Sequence, residues 1–284
     1  MPRKTNDTAT HDAYNRALLA YIDIADAIFR AAIPKRLRRL LVGLPKRVAG
    51  EMVSEWLRSY RADMHFVYQL KGGGELHLLV EFKSSREKWT AWQLLKYEVA
   101  IYDLHSKGED GSFQGLPLVY TLVLHNGPRQ WRKMPDVKSL VRGSEAVKAL
   151  VGQSPPEPAF DLCDTKKLVP LLDHHPQAQA GCRALTIGGH GNPSISELEA
   201  LFRALPDKSR FESETIGYIV PQCMGRSDRV RTAMNTVKGE RGVKMIDEMR
   251  SKVLHQAHAE GEQKGRAEGK AEVLAKQLKL KFGR

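Results

Sequence analysis

The sequence predicts an α/β fold in which a mixed β-sheet is flanked by helices and followed by a C-terminal helical region. Two runs of alternating apolar residues around a glycine-rich turn indicate a β-hairpin between residues 61 and 85. The next segment spaces its apolar residues as a helix does and contains no glycine or proline, and a nearly continuous apolar strand follows it. These elements form the expected core.

Alternation in the hairpin places its polar side chains on one face. The first run, Ala62 to Leu70, is apolar at every second position, which leaves Asp63 on the other face. The second run, Glu75 to Lys83, alternates in the same way, so Glu81 and Lys83 share the face opposite the apolar stripe. The three charged side chains are therefore candidates for a common site.

The number of residues in the turn decides which side chains are neighbours. A two-residue turn at Gly72-Gly73 would set Asp63 opposite Phe82 and pair an apolar stripe with a polar one. A three-residue turn sets Asp63 opposite Glu81 or Lys83, and glycine suits the left-handed backbone position that such turns need. We therefore predict a turn of odd length, with directly opposed Cα atoms about 4.5–5.5 Å apart.

Asp63, Glu81 and Lys83 have the residue types and spacing of a metal-dependent nuclease site. Mg²⁺ prefers hard oxygen ligands, which the two carboxylates and the main-chain carbonyl of Phe82 would supply. Such a cation activates water and polarises a phosphate, while a lysine beside it orients the water or stabilises negative charge. The alternative is an exposed strand face with ordinary charges, because an acid followed by Glu-x-Lys is frequent by chance.

A helix expected at Glu87–His105 adds two candidate residues. Gln93 and Tyr97 are four positions apart and therefore lie on one helical face. The helix is indicated by the helical spacing of Trp92, Leu95, Val99 and Tyr102. At such spacing, residues like Trp92 and Tyr97 more often belong to the core than to a functional site.

The order of these elements is that of the PD-(D/E)xK nuclease core, the restriction-endonuclease-like fold. After the helix, Leu116–His125 is almost continuously apolar, as expected for a strand covered on both faces, and it ends at the turn dipeptide Asn126-Gly127. A Gln-x-x-x-Tyr pair directly after Glu-x-Lys is known from RecB-type nucleases, in which both side chains face the metal site and DNA. Gln93 and Tyr97 match this pattern.

The chain resembles the Rpn family of recombination-promoting nucleases, also labelled YhgA-like putative transposases. The resemblance covers roughly residues 11–140, and the C-terminal tail is similar only in general character. The segments that carry it are His11-Asp12, Arg61-Ala62-Asp63, Val80 to Ser85, Leu94 to Tyr97, Leu116-Pro117, His125-Asn126-Gly127 and Trp131.

The resemblance implies a bacterial DNA endonuclease that depends on Mg²⁺, for which Mn²⁺ can substitute, and that promotes DNA recombination. The candidate catalytic residues are Asp63, Glu81, Lys83, Gln93 and Tyr97. Two departures, Lys83 where many members have Gln and Gln93 where many have Arg, move the sequence toward the general nuclease pattern. Glu51 or Glu55, on a helix expected at Glu51–Tyr60, is an open candidate for an additional metal ligand.

A net charge of +12, from 45 Lys and Arg against 33 Asp and Glu, predicts a polyanionic partner. The clearest basic cluster, Arg30 to Arg47, contains no acidic residue, and we favour its contact with the DNA backbone. Interspersed leucines make the segment amphipathic, so a helix on a membrane surface and a plain solvated face are competing interpretations. The DNA-binding candidates are Arg36, Arg38, Arg39, Lys46 and Arg47.

The length of 284 residues accommodates one domain and a smaller appendage. We expect a nuclease domain in residues 1–150, a helical accessory region in 151–243 and a basic, charged helical tail in 244–284. The proline-rich segment Val151–Pro158 marks the first boundary. Because the sequence contains no run of about 18 apolar residues and begins with a polar segment, we expect a soluble, cytoplasmic protein without a membrane partner.

The accessory region is predicted to contain short elements. Phe160–Leu172 is expected to be helical or mixed, and Ile195–Leu205 to be a helix capped by Ser194 or Ser196. Three cysteines, an odd number without metal-site spacing, are expected to be reduced and structural: Cys163, Cys182 and Cys223.

Glycine recurs at every fourth position of the tail, at Gly261, Gly265 and Gly269. Each glycine costs about 1 kcal/mol of helix stability relative to alanine, so we predict a marginal, mobile helix with a secondary binding role. The alternative is that the glycine stripe permits close helix packing in a homo-oligomer formed through the tail. The sequence does not decide whether an inhibitor protein is a further partner.

Three functions follow from these observations. The leading one is a metal-dependent DNA endonuclease. The second is a catalytically weak or silent nuclease-fold protein that binds DNA. The third is a transposase-related protein, although the sequence has no integrase-like triad of acids. The target sequence and the preference between DNA and RNA stay open.

Overall fold

The computed structural model describes residues 5–48, 64–108, 110–131, 136–140 and 160–282. It confirms the predicted α/β class, because these residues form a five-stranded mixed sheet flanked by helices and followed by a helical region. The strands are β1 (Leu41–Arg47), β2 (Met64–Leu70), β3 (Glu75–Lys83), β4 (Leu118–His125) and β5 (Phe160–Asp164). The helices are α1 (Thr5–Leu18), α2 (Ile22–Ala32), α3 (Lys35–Arg38), α4 (Thr90–His105), α5 (Thr165–Leu168), α6 (Pro176–His190), α7 (Ile195–Arg203), α8 (Arg210–Gln222) and α9 (Ser227–Phe282).

The strands follow the order β1-β2-β3-β4-β5 across the sheet. β1, β2 and β3 are antiparallel neighbours, whereas β3, β4 and β5 run parallel. Because parallel strands cannot be joined by a tight turn, α4 crosses from β3 to β4 over one face of the sheet. The carboxyl ends of the three parallel strands therefore share one edge, where Lys83 pairs with His125 and His125 with Asp164.

The β2–β3 hairpin has the odd-length turn that the sequence predicts. Gln69 pairs with Glu75 across the two strands. The amide of Leu70 donates to the carbonyl of Gly74 at 3.0 Å, so Lys71–Gly73 form the turn. The two glycines of this turn have φ values of +91° and +97°, which side chains with a Cβ rarely adopt.

The central strand β3 is covered on both faces. Its apolar stripe, with Leu78 and Val80, belongs to the main core together with Phe66 of β2. On the opposite face, Leu79 packs against Leu94 of α4 in a second cluster. Glu81 and Lys83 follow Leu79 on this second face by alternation, so they point to the side on which α4 lies.

Helix α4 begins at Thr90 rather than Glu87, and the expectation that Trp92 belongs to the core is wrong. Leu95 is buried, but Trp92 and Val99 are 44% and 43% exposed. The helix has apolar side chains on more than one face, and periodicity alone does not say which of them meets the sheet. The side that is buried carries Ala91, Leu94, Tyr97, Glu98 and Ile101.

The strand expected at Leu116–His125 needs correction, because β4 begins at Leu118. Leu118 is exposed and the next two residues are half-buried, so burial on both faces applies only to the carboxyl half of the strand. The segment predicted to be helical or mixed is mixed: Phe160–Asp164 is a strand that pairs parallel with β4, and the short helix α5 follows it. Five residues are too few to distinguish a strand from a helical turn by periodicity, and the pairing depends on a distant partner.

The helices beyond β5 pack on the same core as α1 and α2. One buried apolar cluster joins Phe29 of α2 and Phe66 of β2 with Leu185 of α6 and Ile219 of α8. The cap predicted for α7 is confirmed: Ser194 Oγ accepts from the amide of Glu197, whose carboxylate in turn accepts from the amide of Ser194. The three cysteines are free thiols. The boundary segment at 151–158 lies outside the described residues, so the division into three regions stays a prediction.

The basic segment Arg30–Arg47 is not one amphipathic helix. It contains the end of α2, the short α3 and the edge strand β1. Pro34 separates the two helices, because proline lacks an amide hydrogen and disfavours helical backbone in the residue before it. The competing interpretation as a membrane-surface helix is therefore wrong. Among the helices of the described ranges, none combines the length and the apolar composition of a membrane-spanning segment.

The tail is helical as far as Phe282, as the sequence predicts. α9 consists of two helical segments that meet at Gly239, which has φ +62° and ψ −153°. Val230 and Met234 before this point and Ile246 after it are buried in the main core. The mobility of the tail and its role in an oligomer stay predictions.

Candidate functional site

A cleft of about 150 Å³ lies at the carboxyl end of β3, where the parallel strands share an edge. Ligands of open α/β sheets bind at this edge, outside the carboxyl ends of the strands. Three of the predicted site residues, Glu81, Phe82 and Lys83, therefore line one cleft. The complete lining is His11, Asp12, Asn15, Glu81, Phe82, Lys83, Ser84, Glu87 and Asn126.

Glu81 and Lys83 form a buried ion pair in this cleft. Their residues are 4% and 9% exposed, and Lys83 Nζ lies 3.0 Å from Glu81 Oε1 and 3.1 Å from Glu87 Oε2. Burial alone would lower the pKa of Lys83, but the two carboxylates outweigh it and raise the pKa above its ordinary value. Lys83 therefore keeps its positive charge throughout the neutral range.

Gln93 ties the ion pair to α4. Its Nε2 donates to Glu81 Oε1 at 2.9 Å and to the Tyr97 hydroxyl at 2.5 Å, and its Oε1 accepts from Lys83 Nζ at 3.1 Å. One amide thus orients a carboxylate and an ammonium group together. The structure brings together Glu81, Lys83, Gln93 and Tyr97, as predicted, while their catalytic roles stay a prediction.

Helix α1 contributes cleft residues to which the sequence reasoning gave no role. Asp12 and Asn15 lie one turn apart on this helix and both line the cleft. Asn15 and Asn126 are each 3% exposed, and Asn15 Oδ1 and Asn126 Nδ2 have no hydrogen-bond partner in the described part of the chain. A buried polar group without a hydrogen-bond partner costs about 1–3 kcal/mol of stability. Binding of a ligand by these groups would explain why the fold retains them.

A signal for these residues exists in the sequence. His11-Asp12 and Asn126 both belong to the segments that carry the family resemblance. Their chemistry alone assigns no role, because α1 is distant in sequence from the hairpin that it approaches. Glu87, which binds Lys83, follows the hairpin directly but has no distinguishing pattern.

The C-terminal helices hold α1 at the cleft. The hydroxyl of Tyr218 on α8 is hydrogen-bonded to His11 Nδ1 at 2.5 Å. The Tyr218 ring also stacks on Tyr14 of α1, with 4.1 Å between ring centroids and 2° between ring planes. The hydroxyls of Tyr14 and Thr215 are 3.1 Å apart. These contacts connect α1 to a helix that lies more than 190 residues further along the chain.

Two glycines allow close packing around Asn126. A Cβ added at Gly127 would lie 1.8 Å from the carbonyl oxygen of Ser84, and one at Gly189 would lie 1.7 Å from that of Asn126. Both positions therefore exclude larger residues. The end of α6 thus packs directly on the loop that carries a cleft residue.

Three predicted site residues lie outside the described residues: Asp63, Glu51 and Glu55. The first described pair of the hairpin is Met64 with Val80. This is the strand register that the prediction of Asp63 opposite Glu81 requires. Their contribution to the site stays a prediction.

The predicted DNA-binding residues divide into two groups. Arg36, Arg39, Lys46 and Arg47 are exposed. Arg38 is half-buried, and its guanidinium donates to the carbonyl of Arg30 at 2.9 Å near the end of α2. Arg38 therefore stabilises the helix terminus, and none of the five positions is tested as a DNA contact.

The donor atoms at the cleft suit a hard cation. In the described ranges, no group of three or more His, Cys, Asp and Glu residues could hold a metal ion by itself. The cleft nevertheless supplies carboxylates from Asp12 and Glu81 and the unpartnered Oδ1 of Asn15, which are oxygen donors of the kind that Mg²⁺ prefers. The residues present fit Mg²⁺, with Asp63 as the predicted additional ligand.

Comparison with known families decides the classification. The sequence model of the family described as "Putative transposase, YhgA-like" matches residues 9–175, which is more than half of the 284-residue chain. The chain belongs to this family. The matched range includes α1 from residue 9 onward, all five strands and the ion pair of Lys83 with Glu81.

Curated relatives of this YhgA-like protein are named as nucleases. It is similar to "Recombination-promoting nuclease RpnC" of Escherichia coli (strain K12), with 25% identity over 122 residues, which are 42% of this chain and 40% of the relative. It is 29% identical to "Recombination-promoting nuclease RpnD" of Escherichia coli O157:H7 over 129 residues, 44% of this chain and 49% of the relative.

A third relative carries a different description. "Inactive recombination-promoting nuclease-like protein RpnE" of Escherichia coli (strain K12) is 25% identical over 126 residues, 44% of this chain and 41% of the relative. The chain spans less than half the length of each of these three relatives. No solved structure matches the chain.

Proposed function

We propose that the protein is a Mg²⁺-dependent DNA endonuclease that promotes recombination and that acts at the cleft beside β3. The observation that carries this proposal is the network in which Gln93 holds Glu81 and Lys83 together at the carboxyl end of a parallel strand. Relatives named as recombination-promoting nucleases support the reaction class.

The roles of the cleft residues follow from their charges. Glu81, Asp12 and the predicted ligand Asp63 would hold Mg²⁺, which when bound supplies a Lewis acid that activates water and polarises a phosphate. Lys83 stays protonated and provides a positive charge for a phosphate oxygen or for the attacking water. Gln93 fixes the carboxylate of Glu81, and Tyr97 fixes Gln93 in turn.

The exposed basic residues supply the affinity for the polyanion. Four exposed residues are available for phosphate contacts: Arg36 on α3, Arg39 directly after it, and Lys46 and Arg47 on the edge strand β1. Such contacts release counterions from DNA, so binding should weaken as the salt concentration rises. Binding that is insensitive to salt would contradict this part of the proposal.

Two alternatives have a specific motivation. A catalytically weak or silent protein that binds DNA through the nuclease fold is suggested by the relative that is named inactive. A transposase-related role is suggested by the description of the family. Both differ from the leading proposal in the result of a cleavage assay.

The assay incubates supercoiled plasmid with Mg²⁺ and either the wild-type protein, Asp63→Ala or Lys83→Ala. Matched controls are Asp103→Ala and Lys107→Ala, which change the same residue types at exposed positions outside the cleft. We expect cleavage by the wild type and the controls and a loss of about 10²–10³-fold or more for the two site variants.

Two results would count against the leading proposal. Equal cleavage by the wild type and both site variants would exclude this cleft as the active site. DNA binding by the wild type without Mg²⁺-dependent cleavage would favour the silent DNA-binding protein.

A further inference from the structure

Two tryptophans on the same short stretch of chain are exposed to solvent. Trp89 is 63% exposed and Trp92 is 44% exposed. Tryptophan offers a large apolar surface that proteins usually bury, and burying such a ring is among the stronger contributions to a core or an interface. Two exposed indoles three positions apart therefore indicate a binding surface.

Trp89 belongs to a segment that contributes Glu87 to the cleft. Trp89 immediately precedes α4, and its carbonyl accepts from the amide of Gln93 at 2.9 Å. Trp89 and Gln93 are thus one helical turn apart on the same face of the helix. Glu87 and Gln93, on either side of Trp89 in sequence, both accept from Lys83 Nζ at 3.1 Å.

The charges around the two rings are mainly positive. Arg86 and Lys88 are exposed next to Trp89, and Lys96 Nζ lies 5.9 Å from the centroid of the Trp92 ring. The acid in this stretch, Glu87, forms an ion pair with Lys83. Aromatic faces interleaved with cations match one occupant well: bases stack on the rings and phosphates meet the cations.

We propose that Trp89 and Trp92 form a stacking platform for unpaired bases, so that the DNA bound at this site contains a single-stranded segment. Stacking on an exposed ring requires the face of a base, which a continuous duplex does not offer. The inference rests on the proposed nuclease function and specifies its substrate: DNA whose strands are locally separated at the cleft. The basic residues near β1 would contact phosphates of single and double strands alike.

Fluorescence anisotropy tests the platform separately from catalysis. A short labelled single-stranded DNA and the duplex of the same sequence are titrated with protein in EDTA, which prevents Mg²⁺-dependent cleavage. The variants are Trp89→Ala and Trp92→Ala, with Trp89→Phe to retain a ring. The matched control is Phe113→Ala, which removes a 73% exposed ring from the loop beyond the opposite end of α4.

We expect each tryptophan-to-alanine change to weaken binding of the single strand by about tenfold or more, with a much smaller effect on the duplex. Trp89→Phe should retain most of the affinity, and Phe113→Ala should bind as the wild type does. Wild-type affinity of both alanine variants for the single strand would overturn the proposal. So would an equal loss for single strand and duplex, or a wild-type dimer that the alanine variants dissociate in size-exclusion chromatography.

Failure of the platform and failure of the proposed function give different results. If the alanine variants bind single strands normally while the wild type cleaves plasmid, the platform is wrong and the nuclease stands. If the single-strand effect is present but no Mg²⁺-dependent cleavage occurs, the platform stands and the nuclease proposal is wrong.

Discussion

Two buried glutamates in this protein are each paired with a lysine, in different parts of the molecule. Glu81 is 4% exposed at the carboxyl end of β3, and Glu212 is fully buried on α8. Glu212 Oε1 lies 2.9 Å from Arg241 Nη2 and 3.5 Å from Lys238 Nζ, and its Oε2 accepts from the amide of Lys208 at 2.7 Å. Both glutamates thus satisfy the rule that a buried charge needs partners.

The two clusters differ in what surrounds them. The partners of Glu212 come from the segment before α8 and from α9 on both sides of Gly239, so this cluster ties two helices together. Glu81 borders a cleft that also contains the buried amides of Asn15 and Asn126, which have unpartnered atoms in the described part of the chain. Burial of a charge is thus common to both clusters, and the proposed function depends on the second feature, access to a cleft with unsatisfied polar groups.

The largest effect on stability is expected from Glu212→Ala. The change leaves Lys238 and Arg241 with only the exposed carboxylate of Asp207 as a counter-charge. Removing one partner of a buried pair costs about 3–5 kcal/mol, and Asp207 should keep the loss near the lower end of this range. Denaturant unfolding would measure the loss. Glu199→Ala is the matched control, because it breaks a helical pair with a largely exposed arginine and should cost about 0.5 kcal/mol or less. Equal losses in the two variants would show that the cluster around Glu212 contributes no more to stability than an exposed ion pair does.

A smaller effect on stability is expected from a substitution at Glu98. This is a third buried glutamate, and it has no cation beside it in the described contacts. It is 7% exposed and accepts from Thr121 Oγ1 at 3.0 Å; burial raises its pKa from 4.5 to about 6, and the hydrogen bond opposes this only in part. The folded state therefore holds a proton that the unfolded state releases, so stability falls as pH rises from about 4.5 to 6.

Glu98→Gln removes this ionisation and retains an oxygen that accepts from Thr121. We expect the variant to be more stable than the wild type by about 1–2 kcal/mol at neutral pH, with the difference disappearing below the unfolded pKa. Thermal unfolding across this pH range would measure it, with the exposed Glu240→Gln as control. A gain that does not depend on pH would contradict the explanation.

The smallest effect on stability is expected from Tyr218→Phe, which tests whether the helical region supports the cleft. The variant loses the hydrogen bond to His11 and keeps the ring stack on Tyr14, so unfolding should change by about 1 kcal/mol. If α1 serves the cleft, plasmid cleavage should fall by up to about tenfold at unchanged structure. Tyr102→Phe on α4 is the control, and unaltered cleavage by Tyr218→Phe would mean that the anchoring of α1 is structural alone.

Local patterns predicted much of the hairpin and part of the site. The alternation of β3 and the glycines of the turn are features of neighbouring residues. The strand, the odd length of the turn and the shared face of Glu81 and Lys83 can therefore be predicted from the sequence. The position of Gln93 follows from helical spacing in the same way. These features require no knowledge of distant contacts.

The remainder depends on contacts between distant segments. Asp12 and Asn15 reach the cleft because α1 packs on α8, which no local pattern reveals. The exposure of Trp92 was missed because the choice of the buried helical face depends on the sheet. The strand β5 required β4 as a partner, and the basic segment was divided at Pro34 between helices and an edge strand.

We propose that the Glu81 cluster performs chemistry while the Glu212 cluster stabilises the fold. The direct test is the rate of Mg²⁺-dependent plasmid nicking per folded molecule for the wild type, Glu81→Gln and Glu212→Gln, below the unfolding temperature of each. We expect Glu81→Gln to lose about 10³-fold or more and Glu212→Gln to nick at the wild-type rate. Wild-type nicking by Glu81→Gln, or an equal loss in both variants, would contradict these separate roles of the two clusters.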